Sequence, residues 1–235
     1  MLVCVVGSEG KMGQALVGAL KTTKDRVMCV DKVLSSDEIG SREIPNCLKA
    51  PSLKSLKVLP NVVIDVGGSK SSVESAKFCA LNHLPLLIMS TGQSKIDRAR
   101  IKVCAQKCPI LMAPNTSRGV GLIIKMLSAS DLSGFDAAIV ETHHQNKKDN
   151  PSGTAIMLEK KLKARGANLV SVSGLRLGEV AGTHTITLCC GNERITITHT
   201  AAERKNFADG AITMLETVLK LPNGLFEEGE INEKN

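Results

Sequence analysis

Trp and Tyr are absent from this 235-residue chain, and four Phe make up its whole aromatic set. The core is therefore expected to be aliphatic, and the interleaved aromatic platform on which proteins stack single-stranded nucleic acid cannot be drawn. No stretch approaches the roughly 18 apolar residues of a membrane helix. The opening Met1-Leu2-Val3-Cys4-Val5-Val6 is too short for a secretory signal and has no basic segment before it, so a cytoplasmic protein without a membrane partner is expected. Eight Cys are present without a C-x-x-C or a paired Cys/His spacing, which argues against both a zinc site and a disulfide framework and predicts mostly buried free thiols. No metal is expected. The net charge of +7 comes from dispersed Lys and Arg, which suits a small anionic ligand better than nucleic acid.

What is present is the 43% hydrophobic content of a folded globular chain, organised in two textures. Through residue 113, short β-rich runs alternate with segments of helical period, the pattern of βαβ units and a doubly wound parallel sheet. Strands are predicted at Leu2 to Val6, Val27 to Val30, Val62 to Val66, Leu86 to Met89 and Ile110 to Met112. Helical faces are predicted through Met12, Leu16, Val17 and Leu20, through Val73, Ala76, Lys77, Ala80 and Leu81, and from Ile96 to Gln106. After Pro114-Asn115-Thr116, a helix through Val120, Ile123, Ile124 and Leu127 leads to a strand at Ala137 to Glu141. Thr183 to Leu188 and Arg194 to His199 alternate about Gly191-Asn192 and read as an antiparallel hairpin. A last helix spans Asn206 to Leu219, and Glu227 to Asn235 reads as a polar tail. The Thr-rich, weakly charged hairpin face suits a contact with further copies of the chain, and a homotetramer is expected.

Gly7-Ser8-Glu9-Gly10-Lys11-Met12-Gly13 follows the first strand and opens the first helix. In that position glycines let the backbone approach a pyrophosphate seated on a helix N-terminus, although the G-x-x-G-x-x-G spacing is a variant of the usual fingerprint. Asp31 ends the second strand, where a carboxylate can accept hydrogen bonds from the ribose of NADH. Lys32 beside it, with Lys11, can instead offset the extra phosphate of NADPH, so both cofactors stay open.

The densest stretch is Glu141-Thr142-His143-His144-Gln145-Asn146-Lys147-Lys148-Asp149-Asn150-Pro151-Ser152-Gly153-Thr154-Ala155. Ser152 is a natural N-cap, and the amides of Gly153, Thr154 and Ala155 form a receptor for a carboxylate. His and Lys on the incoming loop can protonate a substrate atom and pair with a second carboxylate.

This stretch resembles the E-x-H-H-x-x-K-x-D-x-P-S-G-T-A segment of bacterial 4-hydroxy-tetrahydrodipicolinate reductases, enzymes of the diaminopimelate and lysine pathway. Ser90-Thr91-Gly92, Ala113-Pro114-Asn115-Thr116, Arg176-x-Gly178, Gly182-x-His184 and Phe207-Ala208-Asp209-Gly210-Ala211 agree in order, so the resemblance covers essentially the whole chain. It implies a Rossmann-like doubly wound parallel sheet domain plus an α+β substrate domain with an open mixed sheet. The first, discontinuous domain would take residues 1–114 with 205–235 and bind the dinucleotide, and 115–204 would bind substrate and assemble the tetramer. By the same resemblance, Gly7, Ser8, Glu9, Gly10, Lys11 and Met12 hold the pyrophosphate and Asp31 the adenosine ribose. Met89, Ser90 and Thr91 with Ala113, Pro114, Asn115 and Thr116 lie on the nicotinamide side. His143 matches the proton-transfer residue and Lys147 the catalytic lysine. His144, Gly153 and Thr154, with the cap Ser152, face the carboxylates of a small dicarboxylate substrate, and Thr91 touches both ligands.

Lys11 stands where many relatives carry Arg, Gly67 replaces a Thr or Ser, and Met89-Ser90 replaces Gly-Thr. The rival readings are an oxidoreductase like aspartate or homoserine dehydrogenase, which would not need the His-His-x-x-Lys loop joined to Ser-Gly-Thr, and a non-catalytic nucleotide-sensing relative.

Overall fold

The computed structural model describes residues 1–34 and 47–228, which fall into two compact units. One unit comprises Met1–Thr116 and Ala208–Glu228, and the other Ser117–Phe207. The first six strands are β1 (Leu2–Val6), β2 (Arg26–Val30), β3 (Cys47–Ala50), β4 (Val62–Asp65), β5 (Leu86–Ile88) and β6 (Pro109–Met112). They are followed by β7 (Asp136–His143), β8 (Asn168–Arg176), β9 (Gly182–Cys190), β10 (Glu193–Ala201) and β11 (Gly224–Glu227). The helices are α1 (Lys11–Leu20), α2 (Ser69–Asn82), α3 (Lys95–Cys104), α4 (Arg118–Ser128), α5 (Gly153–Ala164) and α6 (Lys205–Lys220).

In the first unit seven strands form one parallel sheet in the order β11-β6-β5-β4-β1-β2-β3. Near-continuous apolar runs such as Val3-Cys4-Val5 and Val62-Val63-Ile64 are fully buried, as parallel strands covered on both faces must be. The core is aliphatic, with Cys4, Cys79 and Cys108 buried in it as free thiols. The chain runs outward from β1 through β2 to β3, then returns to β4 on the other side of β1. The strand order therefore reverses between β1 and β4, and a doubly wound sheet receives ligands outside the C-terminal ends of the strands at such a point.

Three parts of this unit depart from the sequence reading, the first being β3 (Cys47–Ala50), an unpredicted strand that pairs with β2. Gly224–Glu227, read as lying before or at the start of a polar tail, is a seventh strand whose partner is β6; four residues after a helix carry too little pattern to show pairing. Residues 229–235 of the expected tail lie outside the described residues. The buried stripe of α2 is also turned: Ser72, Val73, Ser75, Ala76, Cys79 and Ala80 are buried, whereas Leu81 is 79% exposed. The cause is Asp65 at the end of β4, which is fully buried and accepts hydrogen bonds from Ser71 Oγ (2.5 Å), Ser75 Oγ (2.6 Å) and Ser72 Oγ (3.3 Å). A buried carboxyl needs such donors, and their placement decides which face of the helix turns inward.

The second unit is a four-stranded mixed sheet in the order β10-β9-β7-β8. β7 runs parallel to β8 and antiparallel to β9, and β9 and β10 form the expected hairpin about Gly191-Asn192. The inward face of β7 carries Ala137, Ile139, Glu141 and His143, all buried, so it begins apolar and ends polar. At the apolar end Ile139, Ile186 and Leu188 pack with Val120, Ile123, Ile124 and Leu127 of α4 and with Ala155, Leu158 and Leu162 of α5. Each buried Val, Leu or Ile among them contributes about 2 kcal/mol relative to an extended chain. That end anchors the helices; the polar end is left for chemistry. Among the described residues no helix is long and apolar enough to cross a membrane.

Candidate active site

In the first unit the loop after β1 begins with Gly7 at φ 84°, a left-handed conformation that a side chain would strain. A Cβ at Gly7 would lie 2.8 Å from the Cα of Gly67, and one at Gly13 would lie 2.1 Å from the carbonyl oxygen of Gly7. These glycines let the β1 and β4 ends and the first turn of α1 close on one another. The N-cap of α1 is Gly10, with no side-chain hydrogen bond and no acidic residue in the first turn, whereas α3, α4 and α5 are capped by Ser94, Ser117 and Ser152. An uncapped helix N-terminus behind a glycine cradle fits the phosphates of a nucleotide. Asp31 Oδ2 accepts from the Glu9 backbone at 3.2 Å, which joins the end of β2 to this loop, and Lys32 beside it is exposed.

Met89, Ser90 and Thr91 follow β5, and Ala113 to Thr116 follow β6, at the same end of the sheet. Met89, Ala113, Asn115 and Thr116 are buried, while Pro114 and Thr91 are exposed. Ser90 Oγ pairs with Ser72 Oγ at 2.6 Å and donates to Asp65 at 3.3 Å, tying the β5 loop to the end of β4. Burial pushes the Asp65 carboxyl above its ordinary range, against the hydroxyls of Ser71, Ser75 and Ser72.

In the second unit the dense stretch folds over the polar end of the sheet. Glu141, with no solvent exposure, accepts both arms of the Arg176 guanidinium, Nη1 and Nη2 each at 3.0 Å. It also accepts from the Ser152 backbone at 3.0 Å and pairs with Nδ1 of His143. Ser152 caps α5 by accepting from the Ala155 backbone at 3.2 Å, and its hydroxyl shares a 3.1 Å hydrogen bond with His184 Nε2. The His143 and His184 rings meet edge to face at 5.0 Å. Gly182 lies under His143: a Cβ there would come within 2.9 Å of Nε2, so only a bare backbone lets the ring sit where it does. Lys147 reaches Asp149 Oδ2 at 2.8 Å, and Lys148 next to it is exposed.

The charges follow from this packing. Burial would raise the Glu141 carboxyl, but Arg176, His143 and the Ser152 amide hold it below its ordinary value, and it is a carboxylate at neutral pH. Burial lowers His143; Glu141 opposes that, and Lys147 and Arg176 reinforce it. Burial, helped by His143, lowers His184 to about 4, so it is neutral at pH 7. Asp149 is pushed up by burial yet held low by Lys147 and by the Gly153 amide. Its carboxylate thus contacts two of the groups expected to receive a substrate carboxylate.

The structure brings His143, Lys147, Ser152, Gly153 and Thr154 into one unit at one end of one sheet, with His144 at the exit of β7. Sequence reasoning gave no role to Glu141, Arg176, Gly182, His184 or His199. The period-2 pattern held a signal for Glu141: it falls on the same face as Ala137 and Ile139, and a carboxylate at an inward position demands a partner. Arg176 is opposite His143 in the β7–β8 register and supplies it.

Both parts of the chain are similar to known proteins. Residues 1–116 match the family model described as dihydrodipicolinate reductase, N-terminus, and residues 119–230 match dihydrodipicolinate reductase, C-terminus. The 4-hydroxy-tetrahydrodipicolinate reductase of Campylobacter curvus is 33% identical over 243 residues, covering 94% of each chain. That of Aquifex aeolicus is 31% identical over 239 residues, covering 89% of this chain and 90% of the relative. Among solved structures, the dipicolinate-bound dihydrodipicolinate reductase of Paenisporosarcina sp. TG-14 shares the fold, with a TM-score of 0.78 at 22% identity over 97% of both chains. The chain belongs to the dihydrodipicolinate reductase family and is an oxidoreductase.

Proposed function

We propose that the chain catalyses its family's reaction, the reduction of 4-hydroxy-tetrahydrodipicolinate to tetrahydrodipicolinate on the way to diaminopimelate and lysine, in the cytoplasm and as a homotetramer. The Met1–Thr116 and Ala208–Glu228 unit serves as the dinucleotide-binding part and Ser117–Phe207 as the substrate-binding part. The cofactor is a nicotinamide nucleotide; NADH and NADPH are both accepted, because Asp31 suits ribose hydroxyls while Lys32 and Lys11 suit an added phosphate. When bound it supplies the hydride.

The single observation that carries the reading is the arrangement at the polar end of the second sheet. A histidine held by a buried carboxylate, a lysine and the N-terminus of α5 converge where an anionic ring can be gripped and protonated. Lys147 and the amides of Gly153 and Thr154, with His144 and the Ser152 turn, take the two substrate carboxylates. Asp149 engages the same Lys147 and Gly153 amide and so holds both groups in place beside the site. His143 delivers the proton that balances hydride addition to the ring. Gly7 to Met12 hold the pyrophosphate, Asp31 the adenosine ribose, and Met89 to Thr91 with Ala113 to Thr116 the nicotinamide side, with Thr91 serving both ligands.

The family match to both parts of the chain leaves no observation favouring the aspartate or homoserine dehydrogenase reading or a non-catalytic sensor. The test is oxidation of NADH and NADPH with freshly prepared 4-hydroxy-tetrahydrodipicolinate, beside oxaloacetate plus ammonia and aspartate semialdehyde. Turnover confined to the cyclic imine is expected. Faster turnover with either alternative, or none with any of the three, overturns the proposal.

A further inference from the structure

Glu141 is the most completely enclosed charged group among the described residues of the second unit, and each of its oxygens carries two partners. Oε1 accepts from Arg176 Nη2 and from the Ser152 backbone, both at 3.0 Å. Oε2 accepts from Arg176 Nη1 at 3.0 Å and faces His143 Nδ1. Every partner of a carboxylate is a donor, so Nδ1 of His143 carries the hydrogen and Nε2 is left as the atom free to exchange a proton. The fork to Arg176 and the Ser152 amide prevents the carboxylate from turning away, because both belong to elements packed on β7. Gly182 completes the arrangement by leaving the space into which Nε2 projects.

We propose that Glu141 is the positioning residue of this site: its carboxylate, clamped by Arg176 and the Ser152 amide, fixes His143 as the Nδ1–H tautomer and presents Nε2 as the atom that passes the proton. This inference rests on the reading of His143 as the proton-transfer residue.

Several charged or titratable groups face His143: Glu141 from its own strand, Arg176 from β8, His184 from β9, and Lys147 with its partner Asp149 from the loop. His199 on β10 lies beyond His184, with ring centroids 6.4 Å apart. Burial, Lys147 and Arg176 all oppose a charge on His143, and Glu141 is the group in direct contact that favours it. The carboxylate therefore sets both the orientation of the ring and the pH range over which a proton is available.

Glu141→Gln separates these effects. Two donors, Arg176 Nη2 and the Ser152 amide, face the Oε1 position and one fixed donor, Arg176 Nη1, faces Oε2, so the amide oxygen takes the Oε1 position and the NH2 takes the Oε2 position, where it costs the Nη1 hydrogen bond and points a donor at Nδ1. His143 must then carry its hydrogen on Nε2. Nitrogen-15 NMR of the parent enzyme should show His143 as the Nδ1–H tautomer, and Glu141→Gln should convert it to Nε2–H. Turnover should fall about a hundredfold with KM and cofactor affinity changed less than about threefold, as for loss of a group that orients a catalytic histidine. An activity that needs protonated His143 is lost as pH rises through its pKa. Removing Glu141 lowers that pKa, so the loss should set in at lower pH, and Glu141→Asp, which keeps the charge, should move it back toward the parent profile.

An Nε2–H tautomer in the parent enzyme overturns the inference, and this measurement needs no variant, so poor folding of Glu141→Gln does not shelter it. Unchanged tautomer and pH profile in a Glu141→Gln that has lost only thermal stability also overturns it, reducing Glu141 to a structural ion pair. Near-normal turnover of His143→Gln would instead defeat the assignment of the proton donor, and the tautomer experiment would still judge Glu141 on its own.

Discussion

Lys147 and Lys148 are adjacent, yet the fold treats them differently. Lys147 turns back to Asp149 and lies near His143, whereas Lys148 is exposed. Two successive side chains on an extended loop cannot both point at one ligand, so the proposed function assigns to Lys147 alone the pairing with a substrate carboxylate and with charge developing on the ring nitrogen. Lys147→Ala is expected to lower turnover about a hundredfold to a thousandfold, the usual cost of losing a positioned charge that acts on the transition state. Lys148→Ala should stay within about twofold of the parent. Steady-state kinetics of both, with NADH affinity measured separately, decides this; equal losses would mean that the active-site register is misplaced.

His184 gives a second prediction at this scale. Among the described residues its buried Nδ1 has no hydrogen-bond partner, and burial lowers its pKa to about 4 from the ordinary 6.5. The unfolded chain therefore binds a proton more readily than the folded one between these values. The stability that neutral His184 allows is fully present above pH 6.5 and is lost as pH falls toward 4, by about 2 kcal/mol between pH 7 and pH 5. Urea midpoints at the two pH values should show a shallower dependence in His184→Gln than in the parent, and identical slopes would refute it.

Among the elements, the second sheet divides its two faces between different tasks. Its inner face meets α4 and α5. The other face carries exposed Val140, Thr196, Thr198 and Thr200, with Thr185 and Thr198 joined across the hairpin at 3.2 Å. β10 is an edge strand of nine residues with little charge on this side, a surface that pairs or packs when unprotected. Light scattering at micromolar concentration is expected to give a mass near four times the 25.0 kDa of one chain. A monomer would contradict both the tetramer and the use assigned to this face.

For the whole molecule, the first unit bears on cofactor choice. Asp31 is tied to the phosphate loop through the Glu9 amide, and Lys32 is exposed immediately beside it. Neither charge excludes its opposite, so affinities for NADH and NADPH should lie within about tenfold, roughly 1.4 kcal/mol. Calorimetric titration with each nucleotide measures this directly, and a hundredfold gap would show that one of the two side chains governs the site alone.

The sequence by itself determined the two textures of the chain, because helix and strand periods and glycine positions are local properties. It also marked the segments of the site, since the glycine loop and residues 141–155 each hold their chemistry within a few consecutive positions. It did not reveal the partners that act across strands. β11 had no visible pattern of its own, and the inward turn of Ser72 and Ser75 depended on Asp65, which arrives from another element. Arg176 lies 35 residues from Glu141 and His184 lies 32 from Ser152; only the β7–β8 and β7–β9 registers bring them together. Buried polar groups must find partners wherever the fold delivers them, and which residue answers is decided by tertiary structure.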